Sequence, residues 1–161
     1  MHIRGRAFAL LLALLVGVGF STTSSAQTPG TVDWLTDLKF GKVAASVDGG
    51  GTITIPSSAD SRSITGQLID FGGTVKRGKF RINGQPRAWV VITMPSTIVV
   101  QKGTGSYTMT ISNLTLSTEN PVRLNNQGTK NVFFGATLTV ITDQRQGTYQ
   151  NSSFVINVDY L

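Results

Sequence analysis

No cysteine occurs anywhere in the 161 residues, and the only histidine is His2. Without thiols there can be no disulfide, no zinc–thiolate centre and no cysteine nucleophile. A lone histidine at the second position, inside a stretch that reads as a leader, leaves the rest of the chain without imidazole. General-base, proton-shuttle and metal-ligand roles for histidine are then closed. Charge is scarce as well. Asp, Glu, Lys and Arg make up 14% of the chain, where soluble domains carry about 25%. The formal net charge of +6 counts Arg4 and Arg6 of the leader, so the remainder is only mildly basic. A nucleic-acid binder would show a denser basic face, and none is expected to bind here. No helical period is convincing after residue 26, and no later apolar run is long enough for a membrane-spanning helix.

The N-terminus has the three parts of a secretory signal. Arg4 and Arg6 supply the basic region, Ala7 to Phe20 the uncharged apolar run, and Ser24-Ser25-Ala26 the small residues before a cleavage point. The apolar run is short for a bilayer span, which needs about 20 residues. Cleavage is expected after Ala26, making Gln27 the first mature residue. Residues 1–26 are then the signal peptide, 27–36 a short N-terminal segment, and 37–161 a single domain. With no cysteine after the apolar run, a lipoprotein anchor is excluded, and no stable membrane anchor remains after cleavage. The expected location is the periplasm, the cell surface or the medium.

Beyond the leader, period-two alternation dominates. Val132, Phe134, Ala136, Leu138 and Val140 share one face; Phe154, Ile156, Val158 and Tyr160 share another. The polar stretch Asp143 to Gly147 joins them at hairpin length, which makes the two segments a natural strand pair. Lys79 to Asn83 alternates and stops at Asn83-Gly84, a turn dipeptide. Ala88 to Met94 is apolar on both faces and ends at Pro95, as a central strand would. Thr97 to Gln101 is closed by Gly103-Thr104-Gly105. Leu114 and Leu116 fall one residue out of phase with Met109 and Ile111, so a β-bulge is expected near Ser112-Asn113. Val32 and Trp34 are in phase with Leu38 and Phe40 and read as the opening strand. Thr52 to Ile55 and Ser63 to Ile69 add two more. The pattern predicts an all-β antiparallel sandwich of about eight or nine strands. An outer-membrane barrel also alternates, but aromatic girdles are absent.

Several motifs, in order, resemble a group of secreted bacterial β-domains known mainly as a domain of unknown function and described as pilin-like. They are Asp37-Leu38-Lys39-Phe40-Gly41, Ser61-Arg62-Ser63 with Gly66, Phe80 to Gly84, Ile92 to Pro95, Phe134 to Leu138, and Gln146-Gly147-Thr148-Tyr149 before the last alternating run. That ending is also similar to archaic chaperone–usher pilins and spore-coat-type subunits. The resemblance implies an immunoglobulin-like, pilin-like sandwich and a surface-assembly role. Its partners would be other subunits or a periplasmic chaperone, joined by strand addition to an open sheet edge. The segment Gln27–Thr36 is short for a donor strand, which departs from polymerising pilins.

Candidate sites are few. Lys76, Arg77, Lys79 and Arg81, with Arg87 across the turn, form the densest basic cluster. It reads either as a patch for acidic polymers or as a solvated strand face whose charges discourage edge pairing. The carboxylates are scattered singly, and Asp48-Gly49-Gly50-Gly51 reads as a turn rather than a calcium loop. Serine has no Gly-X-Ser-X-Gly setting and no histidine to activate it. No catalytic residue, metal or cofactor is expected. Trp34 and Trp89 would serve as sugar platforms if exposed; the apolar surroundings of Trp89 place it in the core. The functional expectation is a secreted, non-enzymatic structural or assembly protein. The alternative is a monomeric binding module for a glycan or other envelope polymer.

Overall fold

The computed structural model describes residues 30–161; the leader and the Ala26–Gln27 junction lie outside the described residues. Within them every element is a strand and every pairing is antiparallel. In chain order these are β1 (Thr31–Thr36), β2 (Lys39–Phe40), β3 (Val43–Ala45), β4 (Gly51–Ile55), β5 (Ser63–Gly66), β6 (Leu68–Asp70), β7 (Val75–Lys76) and β8 (Gly78–Asn83). There follow β9 (Trp89–Thr93), β10 (Thr97–Lys102), β11 (Thr108–Leu116), β12 (Val122–Arg123), β13 (Thr129–Val140), β14 (Tyr149–Gln150) and β15 (Asn157–Tyr160). This exceeds the eight or nine expected because turns split several runs. Ser63 to Ile69, for instance, breaks after Gly66, which ends β5 with a φ of 86° that turns the chain out of the strand before β6.

The twelve-residue β13 organises the molecule. Its first half pairs with β8 and its second with β4, while β11 runs along its other side. The large sheet thus runs β1-β8-β13-β11-β10-β14, with β4 and β5 continuing from the far half of β13. Val132, Phe134, Ala136, Leu138 and Val140 all turn inward and are buried. The first two join Phe80, Ile82, Val90, Ile92, Val122, Leu124, Ile156 and Val158 in one apolar cluster. The smaller sheet β12-β9-β15 covers that end of the large sheet. The other three inward residues join Ile53, Ile98, Val100 and Ile111 in a second cluster. The ribbons β2–β7 and β3–β6 cover it with Phe40, Val43, Ala45 and Leu68. No polar or charged side chain is buried among the described residues.

Two expectations about pairing need correction. β13 and the closing segment are not a hairpin: β15 pairs with β9 in the opposite layer. Phe134 and Phe154 meet across the core with their rings tilted at 49° and their centroids 5.8 Å apart. Both segments carry one apolar face, and burying two such faces against each other removes more apolar surface from water than setting them edge to edge. The Asp143–Gly147 stretch leads instead into β14, which adds to β10. Second, β9 is central in its sheet, as expected, but only one of its faces is covered. Val90 and Ile92 point in; Trp89 is 50% exposed.

The bulge falls where the phase slip put it. The β11–β13 register shifts between Ser112 and Thr115, and Asn113 takes φ 51°. The extra residue lets Ile111 and Leu116 both meet the inner side of β13 despite their odd spacing. On the outer side, Ser63, Thr54, Thr137, Ser112 and Thr97 stand side by side across five strands. Hydroxyls of Thr54 and Thr137 bond at 3.0 Å, and those of Thr52 and Thr65 at 2.6 Å. Threonine covers the solvent face in place of charge, which explains how so few ionic residues suffice.

Candidate functional site

The basic cluster does come together, with Lys79 and Arg81 on the outer side of β8 and Lys76 and Arg77 at the end of β7 and the turn after it, but two carboxylates divide it. Asp60 accepts from Lys76 Nζ at 2.7 Å and from the backbone N–H of Arg77 at 3.1 Å. Those bonds, that of Lys76 first, hold the Asp60 carboxyl below its ordinary value. Asp33 on β1 accepts from Asn83 at 2.9 Å and Arg81 at 3.1 Å, which lower its pKa in that order. Arg77 donates through Nη1 to the Ser57 carbonyl at 2.9 Å, and its guanidinium lies 3.7 Å from the centre of the Phe133 ring. Lys79 Nζ sits 5.2 Å from the same ring. Phe133 is therefore the hub, held between two cations. Sequence reasoning missed it, although alternation with the inward Phe134 already turned it outward. Three of the four cations reach a carboxylate, two of them sharing Asp60, so the cluster clasps β1, β8 and the loop before β5 more than it offers a broad field.

Arg87 does not join this cluster. It precedes β9 with φ 61°, and its Nε donates to Asn126 Oδ1 at 2.8 Å. The two tryptophans are both half-exposed, in different settings. Trp34 is 45% exposed yet packs its ring on Phe80, Phe134 and Phe154, with centroids 5.3–6.1 Å away. Trp89, expected in the core, faces solvent beside a depression of about 610 Å³. An apolar strand reads as buried on both faces only when two layers cover it, and β9 has one.

A second concavity, of about 440 Å³, runs beside β10. β14 pairs with β10 only at Gln101 and Lys102. Earlier along that edge the chain peels away, with one side-chain bond from Asn151 Nδ2 to the Val99 carbonyl at 2.7 Å. Met94, Ile98 and Phe154 line the resulting groove, and the exposed Val99 and Val155 rim it.

Far-separated motif residues meet in the ribbons. Arg62 donates to the Phe40 carbonyl, to Gly72 and to Asp70, and its side chain is only 9% exposed. Gly41, at φ 81°, runs so close that any side chain there would strike the Arg62 guanidinium. Asp70 is thereby committed to structure. Among the described residues no group of three or more His, Cys, Asp or Glu is placed to hold a metal ion.

These features define an all-β, antiparallel domain with an apolar interior, a hydroxyl-rich exterior and its polar interactions at loops and edges. The chain belongs to the family described as Domain of unknown function (DUF4402), whose model matches residues 23–160. No curated protein and no solved structure matches it.

Proposed function

We propose that this is an exported, non-enzymatic surface protein with a pilin-like, immunoglobulin-like sandwich, which joins other subunits or a periplasmic chaperone by strand addition. The observation that carries the reading is the half-open edge of β10. From Thr97 to Val100 only β11 lies beside it among the described residues; the opposite side carries no strand there, and an apolar groove with exposed Val99 and Val155 follows that open edge. Unpaired edge backbone next to apolar pockets is what β-augmentation uses: the ladder gives affinity and alternate side chains give register. The leader-like N-terminus supports export.

A monomeric binding module is the second reading. What favours it is β1, which already fills the edge of β8 and seats Trp34 on the core. A segment so built in is not free to serve as a donor for a neighbour.

The test is a photo-crosslinking residue placed at Val155 in cells that express the protein, with Val47 on the exposed β3–β4 turn as control. Cross-linked species in the cell envelope from position 155, and none from 47, are expected. Exclusively monomeric protein from both positions would reject edge assembly.

A further inference from the structure

The outer side of the small sheet carries a binding site for an acidic sugar, we infer, built on Trp89 with Arg87 and Arg123. The inference goes beyond edge assembly and holds whether or not the domain polymerises.

The placement follows from alternation. Val90 and Ile92 are buried, so Trp89 points out, and its cross-strand partner on β12 is Arg123, outward because Val122 is buried. On the other flank the chain leaves β15 and Leu161 N donates to the Trp89 carbonyl at 3.0 Å. Pro86, Arg87, Pro121 and Leu161 wall the depression of about 610 Å³ against the half-exposed indole.

The walls are fixed by bonds made elsewhere. Asn120 holds the strand beside it like a piece of backbone: Oδ1 accepts from Ile92 N at 2.9 Å and Nδ2 donates to Ile92 O at 2.8 Å. Pro121 is thereby set. The loop before β9 is tied by Arg87 N to the Asn125 carbonyl at 3.0 Å and by Leu124 N to the Ala88 carbonyl at 2.9 Å. Among the described residues both guanidiniums are anchored through Nε. Arg87 Nε bonds Asn126, and Arg123 Nε donates to the Arg87 carbonyl at 3.1 Å. Neither takes part in any of the salt bridges of the described residues. Their Nη groups are left as paired, pre-oriented donors. This contrasts with Arg62, Arg77 and Arg81, whose guanidiniums reach carboxylates.

An exposed indole in a rigid concavity offers a flat apolar face for the C–H side of a pyranose, with the stacking geometry aromatic rings favour. Arginine forks fit carboxylates in a bidentate way that a neutral hydroxyl does not match. Together they select a uronic acid over a neutral sugar. A phosphate polymer is disfavoured because it needs a track of cations. Here the other clustered cations sit at β7, the turn after it and β8, three of the four held by carboxylates, and Asp159 stands on the same face as Trp89, opposite Val91.

The test is calorimetric titration of the purified protein at low salt with a galacturonic-acid oligomer, its methyl ester of equal length, and a single-stranded oligonucleotide. The acid oligomer should bind at least tenfold tighter than the ester and tighter than the oligonucleotide. Trp89→Ala should abolish binding, and Trp89→Phe should retain it within a few fold. Arg87→Gln or Arg123→Gln should erase the preference for acid over ester, while Lys79→Gln changes nothing. Melting curves of each variant show whether the domain is folded, and light scattering of the same samples reports assembly separately. No binding by the acid oligomer, equal binding of acid and ester, full binding by Trp89→Ala, or tighter binding of the oligonucleotide would each overturn the assignment.

Discussion

Phe134 shows what a single side chain holds here. It is 2% exposed and touches the rings of Trp34, Phe80 and Phe154, so it links both layers and the opening strand. Gly78 exists in its present place because the Phe134 ring lies where a Cβ would go, at 2.1 Å. Truncation leaves a cavity that neighbouring aromatics on three sides cannot fill by small shifts. Phe134→Ala is expected to cost about 3–5 kcal/mol, measured by denaturant unfolding; a loss under about 1 kcal/mol would mean the ring cluster is not a packed core. The residue scale also shows where sequence reading fails. Alternation turned Phe134 inward and Phe133 outward, yet nothing in the sequence said that Arg77 and Lys79 would both settle on Phe133.

Among elements, β11 is the one whose sequence and geometry agree most closely. The phase slip from Ile111 to Leu114 can be absorbed only by one extra residue, and Asn113 absorbs it in the left-handed region. Asparagine tolerates that conformation far better than a β-branched residue. Asn113→Val should therefore destabilise the domain by about 1–2 kcal/mol, whereas Asn113→Gly should be neutral or slightly stabilising. Equal melting temperatures for the two variants would place the bulge elsewhere. β15 teaches the opposite lesson. The inward set of the closing segment, buried Ile156 and Val158 with the half-buried Phe154 and Tyr160, is as alternation requires, but the partner of β15 is not. Period two fixes which side of a strand is apolar and leaves open which strand lies beside it.

At the scale of the whole molecule, ion pairs sit at the seams between elements and not in the core. Asp33 joins β1 to β8, and Asp60 joins the loop before β5 to β7. Both carboxyls titrate below their ordinary value of 3.8 in the folded state. Between the folded and unfolded values the unfolded chain binds more protons. The stabilisation they give is thus present above about pH 3.8 and is lost as pH falls through the lowered folded values. Because both groups lie at the surface in contact with solvent, the effect is small and screened by salt. In low salt, the melting temperature of the native protein should fall more between about pH 5 and pH 2.5 than that of an Asp33→Asn, Asp60→Asn double variant. Parallel acid limbs for the two would show that these pairs do not couple to stability.

What the sequence determined by itself was chemical inventory and strand faces. The absence of Cys and of any His beyond His2, the low charge, the alternation along β8, β13 and β15, and the slip in β11 are all local properties. They required an all-β chain with an apolar inner side. The tertiary structure alone decided how the faces were spent. It set β15 beside β9 instead of β13, covered β9 on one side only and so left Trp89 in solvent, and drew Arg87 to Arg123 and away from Lys79. It also brought Asp33 to Arg81, residues far apart in the chain. The reason is physical. Backbone period and side-chain polarity act over a few residues, whereas layer coverage and charge pairing depend on which distant segments can bury the most apolar surface together.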